Sequence, residues 1–221
     1  MNVPQLGVLG LQGAVAEHVR ALQACGAAVR TVRRPAELEG LDGLVVPGGE
    51  STAMARLAAP VGLLPAVRAA AGQGMAVFGT CAGLILLAEE VVDAQALQGY
   101  DRIGGLDITV RRNGYGSQLD SFTTELSLSG LSASDPSATG LEEPLPAVFI
   151  RAPVIERTGD DVDVLAEHRG APVVVRQRKL LAASFHPELT RDRRLHRFFV
   201  EMTRQSRPSA SATPADSVKL A

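Results

Sequence analysis

Residues 79–83 read Gly79-Thr80-Cys81-Ala82-Gly83, directly after the apolar run Ala76-Val77-Phe78 and just ahead of a helical pattern. Glycines two positions either side of a cysteine permit the sharp strand-to-helix turn that presents a nucleophile. Such a turn lifts the Cys81 sulfur above the carboxyl edge of a sheet, where ligands of open α/β folds bind. It also leaves the sulfur at a helix N-terminus, whose dipole favours thiolate, and aims the Ala82 N–H toward a reacting carbonyl oxygen. The plainer alternative is a cysteine packed as a small hydrophobe.

A thiolate nucleophile needs a base, and the chain holds four histidines. His18 falls in a helical pattern and is either solvated or packed there. His196 sits among arginines and reads as a surface position. His168 lies at a turn before Arg169-Gly170. His186 differs, because it ends the run Leu180-Leu181-Ala182-Ala183-Ser184-Phe185 and opens His186-Pro187-Glu188. In an extended segment positions 186 and 188 point to the same side, and Pro187 keeps His186 out of the helical region. Glu188 is then placed to hold one imidazole tautomer while the other ring nitrogen faces the thiol. Alone, the tripeptide also reads as a strand-end histidine followed by a helix-capping glutamate.

A third segment, Pro47-Gly48-Gly49-Glu50-Ser51-Thr52, follows the apolar Leu44-Val45-Val46 and precedes another helical pattern. Adjacent glycines allow close backbone approach, and their N–H groups can supply the second half of an oxyanion hole. The same residues also make a tight turn capped by Ser51 or Thr52. A phosphate loop is excluded, since the Gly-Lys-Ser/Thr ending is missing.

Elements with two periodicities must position these segments. Short apolar runs at residues 6–11, 28–32, 44–46 and 76–78 predict strands buried on both faces. Between them, Val15, Val19 and Leu22 recur at helical spacing with Gly26 just beyond, and residues 52–57, 63–71 and 84–89 predict further helices. The alternation predicts an α/β fold of three layers, with a mainly parallel central sheet and helices on both faces. Beyond residue 99 the predicted strands are shorter (108–111, 121–128, 147–151, 162–167, 173–177 and 180–185), which implies antiparallel additions. Residues 191–204 close the fold as an amphipathic helix with Leu195, Phe198, Phe199 and Met202 on one side. Residues 129–146, rich in Ser, Gly, Pro and acidic side chains, predict an exposed loop, and residues 206–221 a disordered tail after a single domain spanning 1–205.

Composition narrows the function classes. The 22 Lys+Arg against 24 Asp+Glu leave a formal charge of −2, which argues against broad binding to nucleic acid or an anionic membrane. Two cysteines, Cys25 and Cys81, exclude a disulfide framework and fit a reducing compartment. No basic segment precedes the first apolar run, and no apolar stretch approaches the roughly 20 residues that span a bilayer. These features predict a cytoplasmic protein; no metal and no cofactor are expected.

The three segments together resemble class I glutamine amidotransferases, and more closely the PdxT/SNO family of glutaminase subunits of pyridoxal 5′-phosphate synthase. The matching motifs are Gly7-Val8-Leu9-Gly10-Leu11-Gln12-Gly13 followed by Glu17-His18, then Pro47 to Thr52, then Gly79 to Gly83. They continue in Phe149-Ile150-Arg151-Ala152-Pro153 and in Ser184-Phe185-His186-Pro187-Glu188-Leu189-Thr190, in order along residues 5–205. The resemblance implies a flavodoxin-like fold and a Cys81–His186–Glu188 triad that hydrolyses L-glutamine through a γ-glutamyl thioester. It implies that Gly48, Gly49, Glu50, Arg112, Ile150 and Arg151 contact substrate, and that the Gly49 and Ala82 peptides form the oxyanion hole. An amino acid substrate needs a cation for its carboxylate, which Arg112 or Arg151 suits, and a polar group for its ammonium, which Glu50 suits. The implied partner is a (β/α)8 synthase subunit that receives the ammonia, in an assembly of twelve synthases carrying twelve glutaminases. Residues 10–13 and the first helix are then candidates for the docking face.

Tyr115 and Ser117 depart from the phenylalanine and arginine common in the family, and the loop at 129–146 and the tail after Gln205 are longer than usual. Three rivals share the chemistry or the fold: a glutaminase serving another pathway such as histidine biosynthesis, a cysteine peptidase or γ-glutamyl hydrolase, and a non-catalytic module.

Overall fold

Four of the apolar runs become the adjacent parallel strands of a seven-stranded sheet in a computed structural model that describes residues 3–112, 114, 121–128 and 143–204. In chain order they are β1 (Gln5–Leu9), β2 (Ala28–Val32), β3 (Gly43–Val46) and β4 (Ala76–Thr80). They are joined through α1 (Val15–Ala24), α2 (Ser51–Ala58) and α3 (Leu63–Gly72), and α4 (Ala82–Leu87) follows β4. The chain then forms β5 (Ala88–Val91), β6 (Leu106–Arg111), β7 (Phe122–Leu126), β8 (Leu145–Phe149), β9 (Val154–Thr158), β10 (Asp163–His168), β11 (Ala171–Gln177) and β12 (Leu180–Ala183), and ends in α5 (Arg194–Arg204). The main sheet runs β10-β11-β12-β4-β3-β1-β2. Its five strands from β12 to β2 are parallel and in the doubly wound flavodoxin-like order, while β10 and β11 join antiparallel.

Alternation along each parallel strand separates two apolar layers. Leu44, Val46, Val77 and Ala182 pack with α2, α3 and α4 residues on one face. Leu6, Val8, Val45, Phe78, Leu181 and Ala183 pack with α1 and α5 residues on the other. Both faces are therefore dry, which is why these strands carry no polar alternation. A second sheet, β5-β6-β9, and the β7-β8 pair lie outside it.

Several expectations change. The helix expected over 84–89 is α4, which starts at Ala82 and ends at Leu87 with every residue buried. Ala88 turns extended, and Glu89 and Glu90 reach solvent from β5 instead, because a helix buried on all sides has no place for two carboxylates. Strand β9 was not anticipated; its polar Glu156-Arg157 masks the Val154-Ile155 core contact. The loop expected at 129–146 ends earlier, since Leu145 and Pro146 already belong to β8, and residues 129–142 of it lie outside the described residues. Tyr115, Ser117 and residues 206–221 also lie outside them. Among the described residues no single helix is long and apolar enough to cross a membrane.

Strand register carries the functional segments to one edge. Thr80 pairs with Ala183 and Gly79 with Val46, so the ends of β3, β4 and β12 are level. The two glycines around Cys81 are held there sterically. A Cβ on Gly79 would lie 2.6 Å from the Gly83 carbonyl carbon, and one on Gly83 would lie 2.0 Å from the Val46 carbonyl oxygen. Gly83→Ala is therefore expected to lower stability by about 1–3 kcal/mol, the usual scale of overpacking. Gly72→Ala, with nothing within 4 Å, is expected to be neutral or to gain up to about 1 kcal/mol. Urea unfolding followed by circular dichroism reads both, and a Gly83→Ala protein as stable as its parent contradicts this packing.

Candidate active site

Cys81 occupies the turn between β4 and α4 with φ 48° and ψ −102°, a backbone conformation that side-chain-bearing residues avoid. Its N–H donates to the Ala183 carbonyl (2.8 Å), which ties the turn to β12. Three residues past β12 stands His186, its own N–H donating to the Val148 carbonyl (2.9 Å) of β8. Both side chains are nearly buried and face the same cleft, of about 230 Å³. Gly48 closes the back of this pair: a Cβ there would lie 2.3 Å from His186 Cε1 and 3.3 Å from Cys81 Cβ. Only glycine leaves room for the imidazole beside the sulfur.

His186 Nδ1 lies 2.7 Å from Glu188 Oε1, and the Glu188 side chain is wholly buried. The segment is not extended as expected. Pro187, Glu188 and Leu189 form a short 3-10 turn, and that turn folds the carboxylate back under the ring. Burial opposes charge on the His186 ring, but hydrogen bonds to Cys81 and Glu188, together with their negative charges, overcome it and push the pKa up to about 10. The ring is thus a cation at neutral pH, held between a sulfur and a carboxylate. Such an arrangement can deliver a thiolate to a carbonyl and a proton to a departing amine.

The cleft gathers Gly49, Glu50, Ala82, Arg112, Ile150 and Arg151 around Cys81 and His186. Glu50, not Ser51 or Thr52, caps α2, accepting from the N–H groups of Thr52 (3.0 Å) and Ala53 (2.6 Å). Burial acts to raise its pKa, but these two N–H groups, the Thr52 side chain and the Arg112 charge hold the carboxyl below its usual range. Arg112 reaches Glu50 Oε1 (3.1 Å) and Thr52 Oγ1 (3.3 Å), so the two charges form one oriented pair. The Gly48 carbonyl accepts from Ala14 N–H (3.3 Å), which turns the Gly49 N–H of the same trans peptide the opposite way. Gln12 also lines the cleft, and its Oε1 accepts from Glu50 N–H (2.8 Å). Its role in shaping the cleft was not read from the sequence. Among the described residues no group of three or more His, Cys, Asp or Glu is arranged to hold a metal ion.

The remaining histidines divide. His168 ends β10, stacked on Phe122 and beside Phe149, away from the cleft. His18 and His196 are both wholly buried. The surface reading of His196 is therefore wrong: α5 lies across α1 and β4, and His196 packs edge-on to Phe78. His18 lies one turn before Leu22 on the buried stripe of α1, a spacing that marked it for burial in the sequence.

The family model described as "SNO glutamine amidotransferase family" matches residues 8–205. The "Pyridoxal 5'-phosphate synthase subunit PdxT" of Mycolicibacterium vanbaalenii is 52% identical over 202 residues, covering 90% of this chain and 98% of that protein. The protein of the same name from Streptomyces avermitilis is 48% identical, covering 96% of this chain and all of its own length (100%). A crystal structure of a glutamine amidotransferase superposes with a TM-score of 0.79 at 46% identity, covering 90% of this chain and 98% of that one. PurLQS from Thermotoga maritima, at 16% identity and a TM-score of 0.60 over 93% of this chain and 97% of its own, shares the fold alone.

Burial, reinforced by the nearby Arg193 charge and only partly opposed by Asp192, pushes the His196 pKa down to about 3. In the unfolded chain the same ring takes a proton near pH 6.5. The stability it contributes is thus whole above pH 6.5 and is lost as pH falls from there toward 3, at about 1.4 kcal/mol per pH unit. His196→Leu is expected to flatten the fall in unfolding free energy between pH 6.5 and 4.5, measured by urea titration at both values. A slope as steep as the parent's contradicts the assignment.

Proposed function

The chain belongs to the SNO glutamine amidotransferase family, and from that premise we propose that it hydrolyses L-glutamine to L-glutamate and ammonia as the glutaminase subunit of a pyridoxal 5′-phosphate synthase. The observation that carries the reading is the row Cys81–His186–Glu188 at the edge of one cleft, with Cys81 on a strained turn. In this reading the Cys81 thiolate attacks the side-chain amide carbon. The Ala82 and Gly49 N–H groups stabilise the oxyanion of the tetrahedral adduct. The His186 imidazolium protonates the amide nitrogen, the C–N bond breaks, and ammonia leaves a γ-glutamyl thioester on sulfur. Neutral His186 then takes a proton from water, whose oxygen attacks the thioester; glutamate departs and the thiolate–imidazolium pair is restored.

The opposite charges of Glu50 and Arg112 complement the ammonium and carboxylate of an amino acid head group. Gly48 makes room for the base, and Ile150 and Arg151 close the cleft beside the thiol, whose sulfur lies 4.0 Å from the Ile150 carbonyl oxygen. Ammonia passes to a (β/α)8 synthase subunit, in an assembly of twelve plus twelve, within the cytoplasm. Residues 1–205 act as one amidotransferase domain. The names of the relatives favour this pathway over histidine biosynthesis.

Glutamine hydrolysis measured with and without the synthase subunit tests both the reaction and the dependence on a partner. Cys81→Ala is expected to abolish ammonia release while still docking on the synthase. His186→Asn is expected to lose at least ~100-fold in kcat, the scale of general acid–base catalysis. Arg112→Met should raise KM by about tenfold or more, the scale of a lost charged hydrogen bond. Ammonia release by Cys81→Ala at the parent rate removes the nucleophile from this scheme.

A further inference from the structure

Glu188 has two carboxylate oxygens, and His186 uses only one. Oε2 is sealed from solvent, and among the described residues no well-aligned hydrogen bond reaches it, His18 Nε2 being the donor group beside it at 3.3 Å. The same nitrogen lies 3.2 Å from Thr80 Oγ1, and His18 Nδ1 lies 3.0 Å from His196 Nε2. The partners determine the protons. An ionised carboxylate only accepts, so His18 Nε2 carries its hydrogen and, in the neutral ring, Nδ1 is the acceptor. His196 Nε2–H must then donate to it, which leaves His196 Nδ1 a bare lone pair, and among the described residues that atom has no hydrogen-bond partner. A missing partner is tolerated better by an acceptor than by a buried N–H donor.

We propose that His18 is a positioning residue for the reaction, a neutral Nε2–H imidazole that holds the far oxygen of Glu188 so that the near oxygen stays on His186. This rests on the triad reading above. The row runs His196, His18, Glu188, His186, Cys81 and draws on α5, α1, the turn after β12 and the turn after β4. Burial, with His196, His186 and Arg193 close by, keeps His18 uncharged. Asp192, near His196, is the carboxylate on the α5 side. Without His18, Oε2 loses the donor group that lies beside it. The carboxylate is then free to turn away from His186, and the His186 cation loses its support.

The test uses the full chain with Cys25→Ser, so that only Cys81 reacts with iodoacetamide. His18→Leu is expected to move the half-maximal pH of alkylation upward by about one unit, and to lower kcat with synthase present by about tenfold or more. KM should stay within about twofold, because His18 does not touch substrate. In His18→Gln the amide nitrogen replaces Nε2–H, and both profile and kcat should stay within about threefold of the parent. A folded His18→Leu protein with the parent's profile and kcat overturns the proposal, as does equal loss in the Leu and Gln variants. Nitrogen-15 NMR of labelled histidine in the unsubstituted protein needs no variant: a neutral Nε2–H ring at His18 supports the proposal and an Nδ1–H ring ends it. Alkylation does not depend on glutamine. A protein that shows the expected alkylation shift yet never hydrolyses glutamine therefore leaves His18 in place and removes the substrate assignment.

Discussion

The pairing of β12 with β4 is the constraint on which the site depends. It sets Ala183 level with Thr80, so that the chain leaving β12 and the chain leaving β4 emerge side by side. One hydrogen bond, Cys81 N–H to Ala183 C=O, seals that meeting at the point where the backbone of Cys81 is strained. Strain of this kind costs on the order of 1–3 kcal/mol and persists only where the surroundings over-determine it. Here Gly79 and Gly83 allow two backbones to touch, and Val46 walls the far side. Slipping the register by one residue would send every side chain of β12 to the opposite face, exchanging Leu181 and Ala183 for Ala182 in the two apolar layers. The dry sheet therefore fixes the separation of sulfur and imidazole more firmly than any local contact between them.

A charged pair this deep needs a polar lining, and the lining is drawn from the opposite layer. Helices α1 and α5 present a mostly apolar face to the sheet, yet each contributes one buried histidine: His18 lies beside Glu188, and His196 lies behind His18. Neutral imidazoles serve here because each is both donor and acceptor, so a row of them ends on a carboxylate without placing a second positive charge inside. On the solvent side Glu50 does comparable work: it satisfies the first N–H groups of α2 and anchors Arg112 at the mouth of the cleft.

Local constraints were legible in the sequence; tertiary ones were not. Glycines two residues from a cysteine, or adjacent after a strand, answer to the immediate chain and were read as turns. Hydrophobic period fixed the type of most elements and the parallel, two-faced sheet. It failed at Glu89-Glu90 and at Glu156-Arg157, where short strands of the outer sheet carry at least as many polar as apolar side chains. It failed again at His196, whose arginine neighbours point to solvent on an argument of composition while its own ring meets Phe78 and His18 across three elements. The turn at residues 187–189 likewise brings Glu188 under His186 by a geometry that extended-chain reasoning does not supply.

Turnover at this site requires that sulfur 81 carry the acyl group. Acid-quenched mixtures of the chain, its synthase partner and glutamine, digested and weighed by mass spectrometry, read this directly. The expected result is one glutamyl group on the peptide containing Cys81, released by hydroxylamine and lost in Cys81→Ala. Ammonia formed at the full rate with that peptide unmodified, or with the acyl group on another residue, would contradict it.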